Sequence, residues 1–111
     1  MYDGRVKKEL VAASVEPLIL SLLSRGESYG YAIIQEIRTR SQEELIWTDG
    51  MLYPVLHRME SNGWIKSRWV TPESGRKRKY YAIVKEGRDA LKQQRAEWMS
   101  VHATLADLWK S

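Results

Sequence analysis

The sequence predicts an α+β fold that is mainly α-helical, with helices ahead of one β-hairpin and a long helix after it. Three observations carry this. Leu52, Val55, Leu56 and Met59 lie at i, i+3, i+4 and i+7, the spacing of one apolar helix face. Residues 64–71 and 78–84 alternate instead with a period of two, around a turn of Thr71, Pro72, Glu73, Ser74 and Gly75. Beyond residue 85, Leu91, Trp98 and Leu105 repeat every seven residues, as do Gln94, Val101 and Leu108, which makes a short a/d seam.

Each element has a local reason. Residues 5–14 can form a short amphipathic helix with Val6, Leu10 and Ala13 on one side. Pro17 disfavours helical geometry at Glu16, so a kink or restart is expected there. Leu18, Ile19, Leu22 and Leu23 then mark a buried helix that stops at Gly26. Ser28 can cap a helix running to about residue 40 and burying Ala32, Ile33 and Ile37. An extended stretch over residues 45–47 leads to Thr48, a good N-cap for the best-patterned helix. Pro54 in that helix cannot donate to the carbonyl of Gly50, which predicts local distortion. Asn62 and Gly63 end it. In the hairpin, Ile65 (with Trp69 in the same alternation) is expected to point inward, facing Tyr81 and Ile83.

At 111 residues the chain is one domain, or one domain with an appended helix. The absence of cysteine excludes a disulfide framework and thiolate metal or redox sites. His57 and His102 are too far apart to suggest a metal site, and no phosphate loop is present, so no metal or cofactor is expected. The apolar run over residues 11–23 is too short for a membrane span and contains Glu16 and Pro17. Asp3, Arg5, Lys7, Lys8 and Glu9 interrupt the N-terminus, against a signal peptide. A cytoplasmic location fits these features.

The net charge of +4 is concentrated in one place. Residues 64–81 hold six basic side chains and one acid, whereas residues 1–63 hold seven basic groups and nine acids. Such a patch suits a polyanion. The order of helices, patterned helix and basic hairpin is that of a winged helix-turn-helix, in which one helix enters the major groove of DNA. On the outer face of that helix stand Asp49, Gly50, Tyr53, Pro54, His57 and Arg58, with Thr48 at its start. The hairpin tip adds Gly75, Arg76, Lys77, Arg78 and Lys79, whose cations would hold phosphates. Ser28, Tyr29 and Tyr31, at a helix start, can donate to phosphate or pack on the core. The alternative from another class is a protein-interaction module whose basic hairpin meets an acidic partner. An enzyme is disfavoured, since no nucleophile–base–orienter set is present.

These residues resemble the PadR-like transcriptional regulators. The resemblance rests on Leu-Ile-Leu-Ser-Leu-Leu (18–23), Ser-Tyr-Gly-Tyr-Ala-Ile-Ile (28–34) and Met-Leu-Tyr-Pro-Val-Leu-His-Arg-Met-Glu (51–60). It continues in Gly63, Trp64 and Ile65, in the Gly-Arg-Lys-Arg-Lys-Tyr-Tyr run (75–81), and in Glu86 and Gly87. It implies a homodimer on a pseudo-palindromic operator, usually a repressor released by a small molecule. By position it puts Tyr29 and Tyr31 at the DNA backbone, Tyr53 and Arg58 on the reading helix, and Arg76 and Lys77 on the wing. Residues 1–84 would form the DNA-binding domain, with residues 1–15 also at the dimer interface, and residues 85–111 the dimerisation helix.

Some short members of the family hold flat aromatic compounds between paired tryptophans at the dimer centre. Trp98 stands at the matching place, with Met99 and His102 beside it. His102 occupies a position where an acidic residue is expected, so the resemblance does not extend to a preference for cationic compounds. An aromatic at a seam position can equally be packing. The seam itself predicts a dimer on physical grounds. Trp98, Val101, Leu105 and Leu108 on a lone helix would expose an apolar patch that a monomer rarely tolerates. Some of it must pack on residues 5–23 of the same chain or on a partner, and Val6, Leu10 and Leu91 join these four as the expected dimer interface.

Overall fold

The computed structural model describes residues 6–110. Their order is α1 (Lys8–Leu23), β1 (Ser28–Tyr29), α2 (Gly30–Arg40), α3 (Asp49–Ser61), β2 (Ile65–Val70), β3 (Arg78–Ile83) and α4 (Lys85–Lys110). This is the predicted mainly helical winged helix-turn-helix, with a three-stranded antiparallel sheet in the order β1-β3-β2.

Three local expectations are corrected. α1 is one continuous helix through Pro17, with no restart. Pro17 removes the bond to the carbonyl of Ala13, at a cost of about 3 kcal/mol. The buried stripe of Val11, Val15, Ile19, Leu20 and Leu23, which spans the proline, offsets that cost. The helix begins at Lys8, so Val6 precedes it and Ala13 is exposed; the predicted start at residue 5 lies outside the described residues. Ser28 does not cap α2. It pairs with Tyr81 across the sheet while Tyr29 pairs with Tyr80, and Tyr29 is the N-cap, without a side-chain bond. A sheet partner fifty residues away wins over the local capping preference.

The remaining caps follow the sequence. Thr48 accepts a hydrogen bond from the Met51 amide at 3.3 Å, and α3 continues unbroken past Pro54. At its end the Trp64 amide donates to the Met59 carbonyl and the Gly63 amide to that of Glu60, both at 3.0 Å. This is a Schellman closure, and Gly63 supplies its left-handed position with φ 78°. α2 closes in the same pattern without glycine: Gln42 and Glu43 both take positive φ, and the Glu43 amide donates to the Arg38 carbonyl at 2.8 Å. The stretch after it is not a strand, although Trp47 is buried as if it were.

The core gathers Ile19, Leu20 and Leu23 of α1, Ile33 of α2, Leu52, Leu56 and Met59 of α3, and Ile65 and Tyr81 of the hairpin. Ala32 is only half-buried, and Ile34 is buried in addition to the predicted residues. α4 joins this core at its start alone. Gly87 is its buried residue, and a Cβ there would collide with the carbonyl oxygen of Trp64 and with Ile83. Ala90 and Leu91 still pack on the core, after which most of the helix is exposed.

Candidate nucleic-acid interface

Three elements meet in an open cleft of about 670 Å³ beside the sheet. α2 contributes Gly30 and Tyr31 with the preceding Tyr29, α3 contributes Tyr53 and His57, and the hairpin contributes Trp69, Tyr81 and residues 76–79. The helical period explains why Tyr53 and His57 share a face: they are four apart, with Leu52, Leu56 and Met59 turned into the core. Tyr53 leans across the start of α2, where a Cβ on Gly30 would collide with its hydroxyl. The glycine of the Tyr-Gly-Tyr motif therefore makes room for Tyr53 of α3. Tyr31 is 65% exposed, whereas Tyr29 is half-buried.

Cations and rings interleave along the hairpin. The Arg78 guanidinium lies 4.6 Å from the Tyr29 ring centre, and the Tyr29 and Tyr80 rings meet edge to face at 5.2 Å. Lys79 sits 5.7 Å from the Tyr81 ring. Such contacts hold charged tips in place without neutralising them. Burial pushes the Tyr81 phenol above its ordinary pKa, with Tyr53 and Glu60 adding to the shift, so this ring stays a neutral core residue. Gly75 turns the tip with φ 92°, and its amide donates to the Pro72 carbonyl at 2.8 Å.

The predicted residues do not all fall together. Thr48, Asp49, Gly50 and Pro54 are exposed at the start of α3. Arg58 lies on the flank towards α1, where Nε and Nη2 both donate to Glu16, at 3.0 and 2.9 Å. Its guanidinium is engaged by protein and is not presented beside Tyr53. Trp69, expected to point inward, is 60% exposed and joins the cleft. The strand has the alternation of a core strand, but its far end extends past the helices that would cover it. Trp69 and Tyr81 line the cleft without having been among the predicted interface residues; for Trp69, a tryptophan in a basic hairpin was the available signal.

The predicted effector and dimer residues sit elsewhere. Trp98 lines a groove of about 520 Å³ with Val6, Leu10, Leu18, Leu45 and Leu91, between α1, α4 and the loop after α2. Met99 and His102 are exposed and do not line it. Val101, Leu105 and Leu108 are exposed along α4, with Trp109, unforeseen, the most exposed at 73%. Among the described residues no helix is long and apolar enough to cross a membrane.

The fold has counterparts among known proteins. A transcriptional regulator from Clostridium thermocellum has 35% identity and a TM-score of 0.82, over 90% of this chain and 97% of its own. A PadR-family transcriptional regulator from Eggerthella lenta has 30% identity and a TM-score of 0.79, over 93% of this chain and 88% of its own. An uncharacterised protein of Lysinibacillus sphaericus is 31% identical over 86% of this chain and 88% of its own. The model of the transcriptional regulator PadR-like family matches residues 19–93. The chain belongs to the PadR-like family, a family of DNA-binding transcriptional regulators rather than enzymes.

Proposed function

We propose that this regulator acts as a homodimeric repressor on a pseudo-palindromic operator. The observation that carries the reading is the shared cleft of α3, the start of α2 and the basic hairpin. Tyr53 and His57 would reach base edges from the reading helix, while Tyr29, Tyr31 and the Arg76–Lys77 tip hold phosphates. In this division residues 1–84 grip DNA and residues 85–111 join two copies, all in the cytoplasm. The exposed Leu105 and Leu108 of the seam, with Trp109 beside them, support the second half of the reading, as does a mainly apolar groove lined by Val11, Val15, Ile46, Trp47 and Met51 and edged by Lys8, Thr48 and Arg58. Each copy thus carries both an apolar ridge and an apolar trough.

Selection of bound duplexes from a random pool tests it. Two inverted half-sites, centred about one helical turn (~10 base pairs) or a multiple apart, are expected. Enrichment of single half-sites, or of no sequence at all, rejects a two-fold operator. A small planar aromatic effector would enter the groove beside Trp98 and shift α4 against α1. Its binding should quench tryptophan fluorescence in the native chain and not in Trp98→Ala; equal quenching in both rejects that site.

A further inference from the structure

Trp69 lies outside the core although it continues the inward face of its strand. It follows Ile65 and Ser67 on the face of β2 that looks at α3: Ile65 is buried and the Ser67 hydroxyl donates to Glu60 of α3 at 2.6 Å. Two residues on, the core has ended and the indole is 60% exposed. A tryptophan left in water forgoes the burial that makes the residue stabilising. Its surroundings are cationic. It stands opposite Lys79 in the hairpin register, and the ammonium groups of Lys77 and Lys79 lie 5.6 and 5.9 Å from its ring centre. The ring therefore forms an apolar plate beside two charges, on the wall of the cleft that also holds Tyr53 and His57.

We propose that Trp69 is itself a DNA contact, packing its indole on the deoxyribose edge of the backbone between two phosphates neutralised by Lys77 and Lys79. The inference rests on the DNA-binding reading of this cleft. The duplex backbone alternates in the same way, apolar sugar C–H surface between anionic phosphates. Covering the ring recovers its burial and keeps water from the two ammonium–phosphate pairs. The contact carries no sequence information, so it applies on any duplex.

That last property gives the test, because the operator is not needed. The full chain is labelled with 5-fluorotryptophan, and the Trp69 resonance is identified by its loss in Trp69→Phe. A mixed-sequence duplex of about 30 base pairs, long enough for two half-sites, is added while fluorescence anisotropy records binding. The Trp69 resonance should shift and the resonance of buried Trp47 should stay. Trp69→Ala should bind about tenfold more weakly at every salt concentration with an unchanged salt slope, because an uncharged ring releases no counterions. A Trp69 resonance that stays put while duplex is bound overturns this proposal alone. So does a Trp69→Ala slope reduced by about two, which would mean that the ring only positions Lys77 and Lys79. A native chain that binds no duplex overturns both this proposal and the functional reading beneath it.

Discussion

The hairpin cleft and the outer half of α4 are opposite kinds of surface. In the cleft, polar and aromatic groups are already held by the chain's own contacts, Arg78 on Tyr29 and Tyr53 against Gly30. Along α4 beyond Leu91 the apolar side chains have little of their own chain to meet: Val101 is 57% exposed and Leu108 64%. One region is finished within a single copy and aimed outward at a charged partner. The other has sequence pattern without packing, and only a second apolar surface can complete it. A preorganised surface loses affinity in steps, one contact at a time, whereas an uncompleted one depends on a partner for its whole worth.

The largest expected effect breaks the second region. Leu105→Asp combined with Leu108→Asp puts two charges into the proposed seam without touching the core. Light scattering should show monomers at micromolar concentration, and affinity for a selected operator should fall more than a hundredfold, since the two reading helices lose their fixed separation. Circular dichroism should keep the native helix content. A doubly charged variant that remains dimeric would place the interface elsewhere.

A pair of glycines sharpens the contrast next. At Gly87 a methyl group meets the Trp64 carbonyl, part of a backbone that also accepts from the Val84 amide at 3.1 Å. Nothing there yields cheaply, so Gly87→Ala should destabilise by about 2–3 kcal/mol and lower Tm by roughly 10 °C or more. At Gly30 the atoms nearest the methyl group belong to the far end of the Tyr53 side chain, which can swing outward. Gly30→Ala should cost less than about 1 kcal/mol of stability and yet weaken operator binding about tenfold, because the reading tyrosine is displaced. Urea melts read beside anisotropy titrations check the pair; similar losses of stability in both variants would remove the distinction.

How much of this was legible beforehand divides along the same line. Patterns that repeat within a few residues were readable: the core face of α3, the Thr48 cap, the Asn62–Gly63 stop and the alternation of the hairpin. What depended on distant partners was not. Ser28 had every local mark of a helix cap, but its place was decided by Tyr81. Trp69 shared the alternation of Ile65, and only the length of the helices covering the sheet left it outside. Arg58 sat beside the exposed residues on the helix surface, and Glu16, 42 positions earlier, claimed it. Pro17 was expected to break a helix that tertiary burial holds together.

Within the cleft, charge can be separated from shape. Lys77→Ala should weaken binding about equally for selected and random duplexes and reduce the salt slope by about one. Tyr53→Phe should leave the slope unchanged and narrow the preference for the selected sequence. Titrations of both duplexes at several salt concentrations distinguish these outcomes. A Lys77→Ala variant that changes preference alone would show that the wing reads sequence.

The smallest effect concerns how the hairpin is anchored. Arg68 on β2 forms a two-pronged pair with Glu27, just before β1, with Nε 3.2 Å from one carboxylate oxygen and Nη2 bonded to the other. The hydrogen bonds and charge of Arg68 hold the Glu27 carboxyl below its ordinary pKa, and Glu27 in turn raises that of Arg68. A carboxylate with a depressed folded pKa contributes its stabilisation above the unfolded value, near pH 4.5, and loses it as pH falls through the folded one. The link is therefore intact at neutral pH and lost only in acid. Because both groups are exposed and screened by salt, the effect on global stability should be slight. It should be visible locally: an NMR titration of the Glu27 carboxyl should have its midpoint below that of an exposed glutamate, and Arg68→Ala should return it to the ordinary range. Hydrogen exchange at the Tyr29 and Tyr80 amides should quicken in that variant, since β1 is only two residues long and the ion pair helps to hold it against β3. Unchanged exchange would mean that strand pairing and the Tyr29–Tyr80 ring contact suffice, and that the anchor belongs to the aromatic side of the cleft alone.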